Sequence, residues 1–424
     1  MLEMLSSLQC ETYDYFLHEI NPKNGLVPDK TEPGSPANTA VVGLALTASL
    51  VAIERGYQTR EVVIQNTLTT LRFFHRSQQS AAKDATGYKG FYYHFLDMQT
   101  GKRAGDSELS TIDTALFIAG VLSVAEYFKG ENSEEIEIRE LAKALYERID
   151  WRWSTNGAAT LTHGWTPEKG FLPYRWDQGY SEALILYILA LASPTYPIEK
   201  KGYDEWLSTF QWKKVYDLEY LYAGPLFIHQ LSHLWIDFRG IRDEFNQKVG
   251  IDYFENSRRA TYVQQRYAIE NPLHFRRYGA HCWGFTASDG PGPCVADINH
   301  QDVIFYNYTA RGAPFGPDDG TISPWAAATS LPFAPEIVIP TIEHVIEKMN
   351  MKNPRKYGFE ASFNPTFPKK SHQDHAWVSP YRYGLNQGPV ILMIENYDTE
   401  MIWKSMKNCE VFKNGLEKAG FIRK

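Results

Sequence analysis

Residues Arg175–Pro194 read RWDQGYSEALILYILALASP. The second half of this stretch is apolar on every side, so a helix formed there has to be enclosed by protein all round rather than on one face. Its entrance carries Trp176, Asp177, Tyr180 and Glu182. Two carboxylates and two large aromatics at the mouth of an enclosed helix raise the question of what that mouth faces.

The same unit, a Gly- or aromatic-containing loop followed by an enclosed apolar helix, recurs along the chain. It begins at Ser35 (SPANTAVVGLALTASLVAIERG), Ser110 (STIDTALFIAGVLSVAEYF), Asp177, Tyr222 (YAGPLFIHQLSHLWIDFRG), Ile322 (ISPWAAATSLPF) and Leu385 (LNQGPVILMIENY). Between these lie polar, amphipathic helices, among them REVVIQNTLTTLRFFHRSQ, SEEIEIRELAKALYERIDW and DYFENSRRATYVQQRYAIEN. An amphipathic helix covers a core on one side only, so six enclosed helices alternating with six covering ones predict an all-α double ring, an (α/α)6 toroid. The competing architectures are an irregular helical bundle and an open solenoid of helix pairs, and the uneven spacing of the units fits a regular solenoid less well. Strands are expected to be few and confined to loop hairpins such as GYKGFYYHFLDMQTGKRAG, Gly87–Gly105. No linker or charge block divides the chain, so residues 1–424 are expected to form one domain.

Composition narrows the function. A net charge of -7 leaves no basic stripe to neutralise phosphates, which argues against nucleic acid. The longest apolar runs are about half the ~20 residues that a membrane helix needs. The N-terminus lacks the pattern of a secretory leader. The expected location is therefore the periplasm or the exterior if a signal peptide has been removed, and otherwise the cytoplasm. Cys10, Cys282, Cys294 and Cys409 show no ligand spacing, so no structural zinc is expected. His229 and His233 stand at i and i+4 in HQLSH, but Gln230 occupies the place of the glutamate in the zinc-protease pattern, and packing is the favoured role. No metal and no cofactor are expected, and the chain is expected to be a monomer.

Aromatic content of 14%, clustered at loop ends, suits platforms on which sugar rings stack. The acids fit that picture. Asp113 sits in an otherwise apolar helix, where an unpaired charge costs several kcal/mol unless it faces a polar cavity. Asp106 and Glu108 precede it in GDSELSTIDTAL. Glu182, set between Trp176 and Tyr180, is expected to hold a proton near neutrality because apolar walls raise a carboxyl pKa. Asp177, Ser181 and Glu182 also have an ordinary role open to them, capping a helix start. Opposed acids amid aromatics suggest glycoside hydrolysis, in which one carboxyl protonates the leaving oxygen and another activates water. In HCWGFTASDGPGP, His281–Pro293, the candidates for substrate contact are His281, Trp283 and Asp289.

Taken in order, ELSTIDTAL, WDQGYSEALILYILALASP, SHLWIDFRGIRD, DYFENSRRAT, WGFTASDGP, SPWAAATSLPF and LNQGPVILMIENY resemble the glucoamylase-like bacterial proteins that include endo-β-1,2-glucanases. The resemblance runs from about Tyr13 to the C-terminus. It implies an (α/α)6 toroid that hydrolyses β-1,2-glucan with inversion, without a cofactor, usually in the periplasm of Gram-negative bacteria. Whether cleavage is endo, or exo with release of sophorose, is left open. Asp113 and Glu182 match the family's most recognisable acids, with Glu108 and Asp106 nearby. Asp289 matches a pocket position, and Trp325 of SPWAAATSLPF joins the candidate substrate contacts. Departures are Asn386, where Asp is common, and Glu360-Ala361, where Asp-Ala is frequent. The alternative in a different class is a carbohydrate-binding relative that has lost turnover.

Overall fold

A computed structural model describes residues 1–298, 301–353, 356–368 and 377–423. Among these the protein is mostly helical: α1 (Leu2–His18), α2 (Thr39–Glu54), α3 (Arg60–Arg76), α4 (Thr111–Tyr127), α5 (Ser133–Glu147), α6 (Leu184–Ala192), α7 (Lys200–Leu207), α8 (Glu244–Val249), α9 (Tyr253–Glu270), α10 (Pro324–Thr329), α11 (Pro335–Glu347), α12 (Gly384–Asp398), α13 (Met401–Met406) and α14 (Glu410–Ala419). No described helix is long and apolar enough to cross a membrane.

The all-round apolar segments are the enclosed ones. Every residue of α6 is buried, as are most of α2, α4 and α12. Helix α2 packs on α4 and on α12, α4 packs on α6, and α10 packs on α12. The α2–α4 crossing is close because Gly43 and Gly120 face each other, and a Cβ on Gly120 would lie 2.1 Å from the Gly43 carbonyl oxygen. Helices α3, α5 and α9 each bury a single stripe and keep polar residues outward, as their amphipathic sequences require.

Two expectations fail in an instructive way. The segment from Tyr222 does not form a helix of the expected length: Pro225 precedes two 3-10 turns, Leu226–His229 and Leu231–Leu234. It is nevertheless enclosed, and Gln230 Nε2 donates to the Ala326 carbonyl of α10 at 2.7 Å. The third enclosed helix starts at Leu184, beyond the expected caps Asp177 and Ser181, with no side-chain cap of its own. Its entrance is capped from a distance, since Ser232 Oγ accepts from Ile185 N at 3.2 Å. Asp177 and Ser181 are therefore not its caps.

Strands are short, but they do more than form local hairpins. Strands β1 (Ala37–Asn38), β2 (Gly87–Tyr88), β3 (Phe91–Tyr93), β4 (Phe95–Leu96), β5 (Leu109–Ser110), β6 (Gly164–Thr166) and β7 (Gly170–Phe171) build a five-stranded sheet, β2-β3-β5-β6-β7, and a separate pair, β1-β4. Strand β1 leads directly into α2 and β5 into α4, so the two pairings fix the mouths of both helices.

Candidate active site

His94 is the one residue between β3 and β4. Its amide donates to the Glu108 carbonyl at 2.8 Å, and its own carbonyl accepts from Thr39 N at 3.1 Å. The backbone thus ties the entry of α4 to that of α2. Each entry is closed by a local cap: Asn38 Oδ1 accepts from Ala40 N and Val41 N, and Ser110 Oγ accepts from Asp113 N.

The Asp113 carboxylate, in the first turn of α4, is buried and accepts a short hydrogen bond from Ser110 Oγ. His94 Nδ1 lies 3.0 Å from Glu108 Oε1 and 3.8 Å from Asp113 Oδ2. Burial pushes Asp113 above the usual carboxylate range, against the pull of His94 and Ser110. Burial acts in the same sense on Glu108, but there the hydrogen bond and charge of His94 win and the carboxyl is lowered. Glu182 stands just ahead of α6, where burial first, and then the charge of Asp113, push it up to about 7. At neutral pH a partly protonated Glu182 therefore lies within reach of the Asp113 charge, while His94 keeps Glu108 ionised.

Trp176 closes one side. Its ring stacks on His163 at 3.9 Å, and its Nε1 donates to Thr111 Oγ1 at the mouth of α4. Tyr180 is buried and lies parallel to Tyr253, near enough to Glu182 for that charge to act on its hydroxyl. Asp177, half-buried, lies near enough to His163 for its charge to act on that ring. Asp289 accepts from Ser379 Oγ at 3.0 Å and lies beside Tyr383. Tyr308 connects it to the other acids: its side chain is 48% exposed overall, but desolvation at its hydroxyl end first, and then the charges of Asp29, Asp289 and Asp113, push that hydroxyl up. The structure therefore gathers Asp113, Glu108, Glu182, Trp176, Asp177, Tyr180 and Asp289 around one region. A groove of about 700 Å³, lined in part by Pro28, Lys30, Thr31 and Phe95, borders it.

Among the described residues, four candidates have no contact that ties them to this region. Asp106 is exposed on a turn ahead of β5. His281 is exposed, with its ring 5.9 Å from that of His344 on α11. Trp283 and Trp325 are 1% and 3% exposed within one hydrophobic cluster, so neither presents a face to a sugar. Trp283 Nε1 is spent on Thr341 Oγ1. Tryptophan at a loop end is equally good core material, and here the core took both.

Sequence reading passed over His94, Asp29, Asn38, Tyr308 and Tyr383. Asp29 accepts from Asn38 Nδ2 at 2.9 Å. Burial raises it, and the charge of Asp113 adds to that rise. As for metals, His94, Glu108 and Asp113 are the one described trio whose donor atoms lie within 4.8 Å of one another. They already engage one another, with His94 Nδ1 3.0 Å from Glu108 Oε1. His229 and His233 are buried and bonded to the Ala223 carbonyl and to Ser257 Oγ, and burial lowers them to about 4 and about 3. All four cysteines are free thiols.

Paired acids at the mouths of enclosed helices give the chain two groups able to exchange protons at one site, and its family can now be stated. The Glycoamylase family model, described as "Putative glucoamylase", matches residues 173–410, more than half of the 424 residues. The chain belongs to that family. It is 27% identical to an exo β-1,2-glucooligosaccharide sophorohydrolase (non-reducing end) of Parabacteroides distasonis over 99% of its own length, and it spans 58% of that relative's length. Among solved structures, it matches a "putative glucoamylase" from Bacteroides uniformis (TM-score 0.87, 29% identity, 99% of this chain and 97% of the other). It also matches an endo-β-1,2-glucanase from Chitinophaga pinensis in complex with sophorotriose and glucose (TM-score 0.86, 26% identity, 99% and 98%).

Proposed function

We propose that this chain hydrolyses linear β-1,2-glucan with inversion, yielding sophoro-oligosaccharides. The observation that carries the reading is the pairing of Glu182, raised to about 7, with the Asp113–Glu108 acids at the neighbouring helix mouth. In an inverting hydrolase one carboxyl donates a proton to the departing glycosidic oxygen while the other takes a proton from the attacking water. Glu182 takes the first role because it is the acid that keeps its proton near neutrality. The Asp113–Glu108 pair takes the second. The likeness to β-1,2-glucan-degrading enzymes supplies the substrate class.

On this reading the six enclosed elements close into an (α/α)6 toroid. The order α2, α4, α6, the 3-10 pair, α10, α12 and back to α2 is supported by contacts between successive helices and by the bonds of Ser232 to α6 and Gln230 to α10. Residues 1–424 then form one catalytic domain.

The deciding experiment incubates the protein with linear β-1,2-glucan and with β-1,3- and β-1,4-glucans, resolves the products by chromatography, and follows the first-formed anomer by NMR. Release of sophorose alone marks exo action, and a ladder of oligosaccharides marks endo action. No cleavage of β-1,2-glucan, or a product that retains its configuration, sinks the proposal.

A further inference from the structure

We propose that His94 is a positioning residue for the reaction: the hydrogen on its Nδ1 holds the Glu108 carboxylate beside Asp113 and so keeps that pair ready to take a proton from water. The inference rests on the hydrolase reading above for its kinetic test, and on geometry alone for its spectroscopic one.

The backbone of His94 is clamped by both helix entries, and its ring is stacked on Phe95 at 4.0 Å, so the imidazole cannot turn away. Three carboxylates face it: Glu108 from ahead of β5, Asp113 from α4, and Asp29 from the segment before β1. Lys30 follows Asp29 and acts on that carboxylate. On its other side Nε2 meets Asn38 Nδ2 at 3.4 Å. The Asn38 amide cannot flip, because its oxygen is committed to the N–H groups of α2. Whether the ring carries one hydrogen or two, Nδ1 keeps one, and Glu108 is the nearest acceptor. Burial alone would push the imidazole down, but the charges of Asp113, Glu108 and Asp29, with the Glu108 hydrogen bond, carry it up to about 9.

Removing the ring leaves two carboxylates, already partly desolvated, with no cation between them. Both then rise, since burial and like charge act in the same direction. The acid limb of the rate profile moves to higher pH.

The test compares wild type, His94→Ala and His94→Asn on linear β-1,2-glucan across pH. Asparagine places an N–H near the position of Nδ1. The expected result for His94→Ala is a kcat lower by on the order of tenfold to a hundredfold, a nearly unchanged KM, and an acid limb of kcat/KM raised by about one pH unit. His94→Asn recovers most of kcat and part of the limb. Equal losses in both variants with an unmoved limb, or no loss in either, overturn the proposal. If the wild type does not cleave β-1,2-glucan, the hydrolase reading has failed instead. The His94 assignment is then read from 15N-histidine NMR, with its signal identified by its disappearance in His94→Asn. Nδ1 protonated from pH 6 to pH 8 upholds it, and an unprotonated Nδ1 at pH 7 overturns it.

Discussion

Glu182 and Asp113 occupy the mouths of neighbouring enclosed helices, and the negative charge of Asp113 adds to the burial that lifts Glu182 to about 7. Asp113 therefore helps to set the proton occupancy of Glu182.

Glu182→Gln keeps size and hydrogen bonding while removing the dissociable proton. Turnover of a natural glucan is expected to fall by the ~10²–10⁴ typical of general acid catalysis, while an activated glycoside whose leaving group needs no protonation is spared. For the wild type, a donor with a raised pKa is competent below it, so kcat should decline as pH rises through about 7. Steady-state kinetics on both substrates from pH 4 to 9 checks both statements. An unchanged basic limb in Glu182→Gln would move the donor role to another acid.

Asp113→Asn is expected to damage both kinds of substrate alike, because attack by water is common to both. A variant that cleaves the activated substrate at the wild-type rate would place water activation elsewhere.

Activity should survive prolonged dialysis against EDTA. The hydrogen proposed above on His94 Nδ1, 3.0 Å from Glu108, leaves no lone pair there for a cation. Loss of activity that calcium or zinc restores would show that the cluster opens to take a metal.

Gly120→Ala should destabilise the fold by at least the ~1–3 kcal/mol typical of overpacking, because the added methyl meets backbone rather than a yielding side chain. Urea denaturation measures the cost, and an unchanged midpoint would mean that α2 and α4 separate easily.

His229 and His233 are neutral and buried, lowered to about 4 and about 3. Their folded values lie below the unfolded one near 6.5, so the unfolded chain binds more protons between about pH 3 and 6.5. The stability they contribute is fully present above pH 6.5 and is lost as pH falls, on the order of 1 kcal/mol per pH unit for each. Urea midpoints at pH 5, 6 and 7, with NMR titration of both rings, test this, and titration near 6.5 would refute it.

How much of this was legible in the sequence depended on how local each signal was. Helices α2, α4, α6 and α12 announced themselves because a segment apolar on all sides has only one kind of place to go. Asp113 stood out for the same reason, as a charge with no local partner. The 3-10 pair after Pro225 resembled its helical neighbours in composition, and its geometry is set by what it packs against. The five-stranded sheet escaped notice because strands of two or three residues carry no alternation to read. Asp29 and His94 were invisible for a related reason: their partners sit on other elements, Asn38 being nine positions from Asp29 and 56 from His94. Trp283 and Trp325 show the converse, since a sequence cannot tell an aromatic that faces a cavity from one that fills it.

The single-residue spacer between β3 and β4 separates two kinds of freedom in the chain. Between β4 and β5 the exposed tip Gln99–Thr100 folds back on Asp97, whereas Arg103 and Ala104 are bonded again to Ala85 and Phe95, so residues added at the tip leave both strand registers as they are. An insertion next to His94 does the opposite. With Tyr93 paired to Leu109 and Phe95 to Asn38, one added residue would slide one helix mouth relative to the other. A library aimed at altering chain-length preference therefore belongs in the outer loop, with the stretch Tyr93–Phe95 left at its present length.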